Sequence, residues 1–145
     1  MPAQSTALNT DTGGVLTSGY YGDPGDGAST WYMVTREAVR PASNATTTAL
    51  AASLVVKASA GVLYKVTGVN TLGSTQYIQV HNATSLPADG AVPAVCIAVA
   101  TGATFDIDFG PRGRTFSAGI VVSNSTTVAT KTIGSANCWI DAQYV

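Results

Sequence analysis

From Thr104 to Val122 the chain reads TFDIDFGPRGRTFSAGIVV, and its apolar and polar positions alternate before they break. Phe105, Ile107 and Phe109 alternate with Asp106 and Asp108. A period of two predicts a strand with one face in a core and the other in water. Gly110-Pro111-Arg112-Gly113 then interrupts the pattern: Pro111 fixes φ, and the two glycines admit positive φ, so a turn is expected. The nearly uncharged run Phe116–Val122 follows. Two strands joined by a Gly/Pro turn predict a hairpin or a corner between two sheets, with Phe105, Ile107, Phe109, Ile120 and Val122 facing one core.

The same reading extends along the chain. Trp31 to Arg36, Leu54 to Lys57, Val62 to Thr71, Gln76 to Asn82 and Ala94 to Val99 read as strands, with Val128 to Ile133 as a further short one, and Asn137 to Val145 closes the chain. Alternation sets Val62, Tyr64 and Val66 against Leu63, Lys65 and Thr67. In Gln76 to Asn82 it turns Ile78 and Val80 inward and Tyr77, Gln79 and His81 to the opposite face. Asp89-Gly90 and Thr101-Gly102-Ala103 mark turns, Ser123 to Thr127 reads as a polar loop, and Thr46 to Ala52 fits a short helix or a turn. The expected fold is all-β: an antiparallel, jelly-roll-like β-sandwich of about eight strands with an extended N-terminal arm. Strand spacing alone does not separate a jelly roll from an immunoglobulin-like sandwich.

The arm is expected over residues 1–28, ahead of a sandwich domain over 29–145. Its composition is Gly, Ser, Thr and Asp, with apolar anchors only at Leu8, Val15, Leu16, Tyr20 and Tyr21. Such a segment cannot offset its own ordering entropy, so it is either a flexible leader or an arm that orders against a partner. Those anchors, with Trp31 and Tyr32 just beyond, are the candidate interface residues. An extended arm of this kind can add a strand to the sheet edge of a neighbouring subunit.

Of the 145 residues only 10% are charged while 46% are hydrophobic; an average soluble domain carries about 25% charge. Thr, Ser, Asn, Gln and Gly must therefore cover the surface, which suits β-structure and a protein packed against neighbours. The net charge is −1 and the basic residues are scattered, so no nucleic-acid partner is indicated. The N-terminus lacks a basic stretch followed by an apolar one, and the longest apolar run, Ala94–Ala100, is too short for a bilayer, so no membrane association is expected. Self-association is expected, as a homodimer first and a trimer second.

Candidate chemistry is thin. His81 is the one histidine, and a lone histidine without a motif reads as a surface or interface residue rather than a catalyst. Cys96 and Cys138 lie in apolar runs and read as packing residues. With His81 they do not make a zinc set. Gly22-Asp23-Pro24-Gly25-Asp26-Gly27 lacks the spaced acidic ligands and terminal Glu of a calcium loop and reads as a turn. Asp106 and Asp108 share a strand face as a hydrolase pair might, but they read as two solvated strand residues, with Arg112 or Arg114 as partners for Asp108. No catalytic, cofactor-binding or metal-binding residue is assigned, and no enzyme is expected. Tyr20, Tyr21, Trp31, Tyr32 and Tyr77 would make a sugar-stacking platform if brought together, while Trp31 and Trp139 read as core or subunit-contact residues.

From Leu54 onward the segments LVVKASAGVLYKVTGVN, QYIQVHNATSLPADGAVP, FDIDFGPRGRTFSAGIVVSNS and CWIDAQYV follow in order. In sequence and spacing they resemble a family of small proteins of tailed bacteriophages, the head decoration or cement proteins. The resemblance covers about two-thirds of the chain and stops near Leu54. It implies a jelly-roll fold and a structural role on the exterior of the phage head, with the major capsid protein as partner. It carries no catalytic residues. A phage tail or fibre module that binds a receptor or carbohydrate is the alternative.

Overall fold

A computed structural model describes residues 43–145 in full and, before them, the backbone of three strands at 9–10, 16–22 and 30–35. The chain divides into two compact units, Met1–Arg40 and Pro41–Val145. In the first, β1 (Asn9–Thr10), β2 (Leu16–Gly22) and β3 (Thr30–Thr35) make a three-stranded antiparallel sheet in that order. The strand expected from Trp31 is β3, and the segment read as an arm supplies β1 and β2. Their register sets Tyr20 opposite Tyr32 and Tyr21 opposite Trp31.

The second unit holds nine strands and, among the described residues, no helix. They are β4 (Ser43–Thr46), β5 (Ser53–Lys57), β6 (Gly61–Asn70), β7 (Gln76–Asn82), β8 (Val95–Val99), β9 (Thr104–Asp108), β10 (Arg114–Phe116), β11 (Ile120–Ser125) and β12 (Cys138–Tyr144). A five-stranded sheet runs β4-β12-β6, with β9 and β10 sharing the far side of β6; a four-stranded sheet runs β5-β11-β7-β8. Every pairing is antiparallel. The two sheets pack as a sandwich around Leu63, Val66, Ile140, Ile78, Val80 and Ile120, all fully buried. This is the expected all-β antiparallel sandwich.

The segment from Thr104 to Val122 is a corner, not a hairpin. β9 and β10 do not pair with each other; both pair with β6, and β11 then joins the other sheet. The step between them is made by Gly110 (φ 70) and Gly113 (φ 63), and a Cβ at Gly113 would stand 2.5 Å from Val62 Cγ1. Phe105, Ile107, Ile120 and Val122 are buried in the core as expected, and Phe109 packs partly buried against it.

Four expectations change. Pairing of β6 with β12 skips Tyr64: Lys65 lies opposite Gln143 and Leu63 opposite Tyr144. This bulge switches the parity of the strand, so Leu63 and Val66 both face the core. Thr46–Ala52 forms no helix, because β12 takes its backbone groups: Thr47 N donates to Ile140 O (2.9 Å) and Ala51 N to Cys138 O (2.8 Å). Ser123, Asn124 and Ser125 are not a polar loop but the buried end of β11. Val128–Ile133 makes only an isolated bridge, Ile133 to Ser125, and spends its backbone covering that end of β11.

Candidate functional site

A polar layer lies on the outer side of β7 and β11. Register places Gln79 beside Ser123 and His81 beside Val121, and residues 126–134 fold over them. Gln79 Nε2 donates to the carbonyls of Thr127 (2.8 Å) and Val128 (3.3 Å). Ser125 Oγ donates to Thr127 O (2.9 Å) and accepts from Thr132 N (3.0 Å). His81, only 2% exposed, pairs through Nε2 with Ser123 Oγ at 3.0 Å. Lys131, also 2% exposed, ion-pairs with Asp89, whose Oδ1 accepts from Ile133 N at 3.1 Å. Two backbone bonds lock this contact, Gly90 N to Lys131 O (2.8 Å) and Lys131 N to Ala91 O (2.7 Å). The Pro-Ala-Asp-Gly loop thus clamps the covering segment.

The expectation that His81 lies at a surface or interface is corrected: segment 126–134 covers the outer face of its strand. Burial, and then the charge of Lys131, push its pKa below the ordinary histidine value. A histidine beside a serine hydroxyl is the pairing of a base with a nucleophile, yet Ser123 is fully buried and offers no face to a substrate. The Lys131 ammonium, followed by the Ile133 N–H, holds the Asp89 carboxyl below the usual carboxylate range. Cys138 is a core residue whose thiol burial pushes up to about 11. Cys96 is half-buried with its thiol raised by the same cause, and both cysteines are free. Lys131, Asp89, Gln79 and Ser123 were not singled out from sequence. Lysine and aspartate 42 positions apart leave no local signal, because the register of two loops alone brings them together.

Asp106 and Asp108 point to solvent on β9. Asp106 pairs with Lys65 at 2.8 Å, and Asp108 Oδ1 accepts from Gly110 N at 2.6 Å. The suggested Arg112 and Arg114 partners are not used; Arg114 instead lies 5.8 Å over the ring of Phe116. Among the described residues no group of three His, Cys, Asp or Glu side chains is placed to hold a metal. No helix is long and apolar enough to cross a membrane among them.

Of the two places expected for Trp139, core or subunit contact, the core is excluded. Trp139 sits on the outer side of β12, where Cys138, Ile140 and Ala142 point inward, and it is 39% exposed. Register gives this outer face three rows: Trp139 with Val69 and Thr104; Thr46 with Asp141, Thr67 and Asp106; Asn44 with Gln143, Lys65 and Asp108. At the β4 edge, Thr47 is bonded to Ile140 and Ala51 to Cys138, so residues 48–50 run past Trp139. Along the connection from β4 to β5, Thr46–Ala51 and Leu54 line an open hollow of about 290 Å3, of which Trp139 is not a wall.

Of the candidate interface residues, Leu8 and Val15 lie outside the described residues, as do residues 23–27 of the suggested metal loop. Leu16, Tyr20 and Tyr21 fall on β2, and Trp31 and Tyr32 on β3, so one small sheet brings these five together. Tyr77 is half-buried on β7 in the other unit. Compared with known proteins, the chain matches no family model, no curated protein and no solved structure.

Proposed function

We propose that this chain is a structural virion protein, a capsid decoration (cement) protein that binds the exterior of a phage head and bridges major capsid protein subunits. One observation carries the reading. The residue series that resembles decoration proteins, Leu54 to Val145, runs through the sandwich from β5 to β12, and its reactive side chains are engaged internally. His81, Ser123, Lys131 and Asp89 bond to one another or to the covering loop. A protein arranged in this way works by presenting surface. Many weak, repeated contacts over a lattice then give tight overall attachment. The compact sandwich supplies a rigid body, and the strands of Met1–Arg40 supply a second element able to engage a neighbour.

Undecorated phage heads test this directly. The purified chain should cosediment with them at a saturating, lattice-defined ratio and raise the temperature at which they rupture. A variant lacking residues 1–22 should bind more weakly while its sandwich melts at an unchanged temperature. Heads that neither retain the protein nor gain heat resistance would remove the decoration reading.

A further inference from the structure

We propose that the outer face of the five-stranded sheet around Trp139 is a glycan-binding surface that takes amine-bearing sugars. The inference does not depend on the decoration role, since it concerns what this face recognises wherever the chain resides.

The indole provides the first requirement. A pyranose has one apolar C–H face, and an exposed aromatic ring on a flat sheet is the side chain that covers it. Trp139 is 39% exposed, and Leu50, 45% exposed, belongs to the segment running past it. The second requirement is polar groups at a sugar's reach. Asp141 lies two residues along β12 on the same face, roughly 6.6 Å away along a strand. Its carboxylate accepts from Thr46 Oγ1, and Thr46 is one wall of the 290 Å3 hollow. A ring stacked on the indole therefore has the Asp141 carboxylate and the Thr46 hydroxyl in the next row of the sheet.

Charge selects the kind of sugar. Among the described residues, the face carries Asp106, Asp108 and Asp141 against a single cation, Lys65, which is already tied to Asp106. Three carboxylates less one ammonium leave a surplus of two negative charges. Uronic and sialic acids are repelled, whereas an ammonium group on the sugar pairs with Asp141 and gains further from the indole face. A basic peptide would share that charge preference. It would, however, need more apolar surface than one tryptophan and one leucine supply.

The test uses the full chain with short oligomers of glucosamine at a pH where their amines are charged. The chain has two tryptophans, so a Trp31→Phe background isolates the Trp139 fluorescence. Binding should quench or shift that emission. Trp139→Ala should weaken affinity about tenfold, and Asp141→Asn or about 0.3 M salt several-fold, because both the stacking and the charge contact are lost separately. Oligomers of N-acetylglucosamine should bind several-fold more weakly. Circular dichroism and melting temperature confirm that the exposed-site variants stay folded. The proposal is overturned if glucosamine oligomers do not bind or bind Trp139→Ala equally well. It is also overturned if the acetylated oligomers bind as tightly, or if oligolysine of equal charge competes at the same concentration.

Discussion

His81 and Lys131 illustrate how single residues are fixed by neighbours distant in sequence. His81 lies under residues 126–134 and Lys131 belongs to that covering segment, and each is 2% exposed. The folded state lowers the pKa of His81, so the unfolded chain binds its proton more readily than the native one. The stability this neutral histidine contributes is therefore complete above its ordinary value, about 6.5. It is lost as pH falls through the depressed native value, and levels off below it. Asp89, also depressed, adds a second acid loss beginning below about 3.9. Both losses fall on one segment, because Asp89 clamps Lys131 and protonated His81 would face the Lys131 charge. Hydrogen-exchange protection at the Lys131 and Thr132 amides, corrected for intrinsic rates, should decline as pH falls below about 6.5, while core amides of β6 stay protected. In His81→Gln that decline should vanish from this window. A uniform loss of protection across the sandwich would instead mean that the segment is not a separately opening unit. Lys131→Ala should destabilise by about 1–3 kcal/mol, since it removes a buried stem and leaves its contacts unfilled.

At the scale of elements, the sequence pattern was most informative where one face meets the core and the other meets water. In β9, the alternation of Phe105 and Ile107 with aspartates became a strand with those two residues buried. Ile107→Ala should cost about 2–5 kcal/mol in urea denaturation, as expected for a buried residue that leaves a cavity. An effect below 1 kcal/mol would place Ile107 at a site able to collapse. Elements whose second face is covered by a loop were misread. β11 carries Ser123, Asn124 and Ser125 at its end, and polar residues in a row signal a loop unless something remote satisfies them. Here residues 126–134 do so, which no local pattern records. The bulge at Tyr64 was hidden for a related reason: it is set by pairing with β12, more than 70 residues on. For Trp139 the sequence leaves core and subunit contact both open, because an aromatic at a strand position carries no sign of which face it takes. Gly68 tests how closely the strands approach. A Cβ there would stand 2.0 Å from Trp139 O and 2.4 Å from Phe105 Cζ. Gly68→Ala should therefore destabilise by about 1–3 kcal/mol or more and shift the Phe105 ring. Glycine is usually a weak strand residue, so an unchanged or raised melting temperature would show that β12 can move aside.

For the whole molecule, the two units differ in length and in how many sheets they hold. Pro41–Val145 closes a core between two sheets, and its strands pair along both sides of that core. Among the described residues Met1–Arg40 holds three strands in one sheet, and a unit of this length is near the limit below which a single core seldom suffices. Its register nevertheless gathers Tyr20, Tyr21, Trp31 and Tyr32 into facing pairs, and cross-strand aromatic pairs of this kind stabilise a sheet only modestly on their own. We expect a second copy of the chain to complete it, as a homodimer, because two-fold association is the commonest closed arrangement; the trimer is the next expectation. A surface with only 10% charged residues in the chain offers little electrostatic opposition to that contact. Light scattering should accordingly give twice the chain mass for the full protein and a single chain mass for residues 41–145. The shorter form should keep a cooperative transition within a few degrees of the full chain, since its core is self-contained. If the full chain is monomeric at concentrations where the shorter form is also monomeric, the sheet of Met1–Arg40 does not drive self-association.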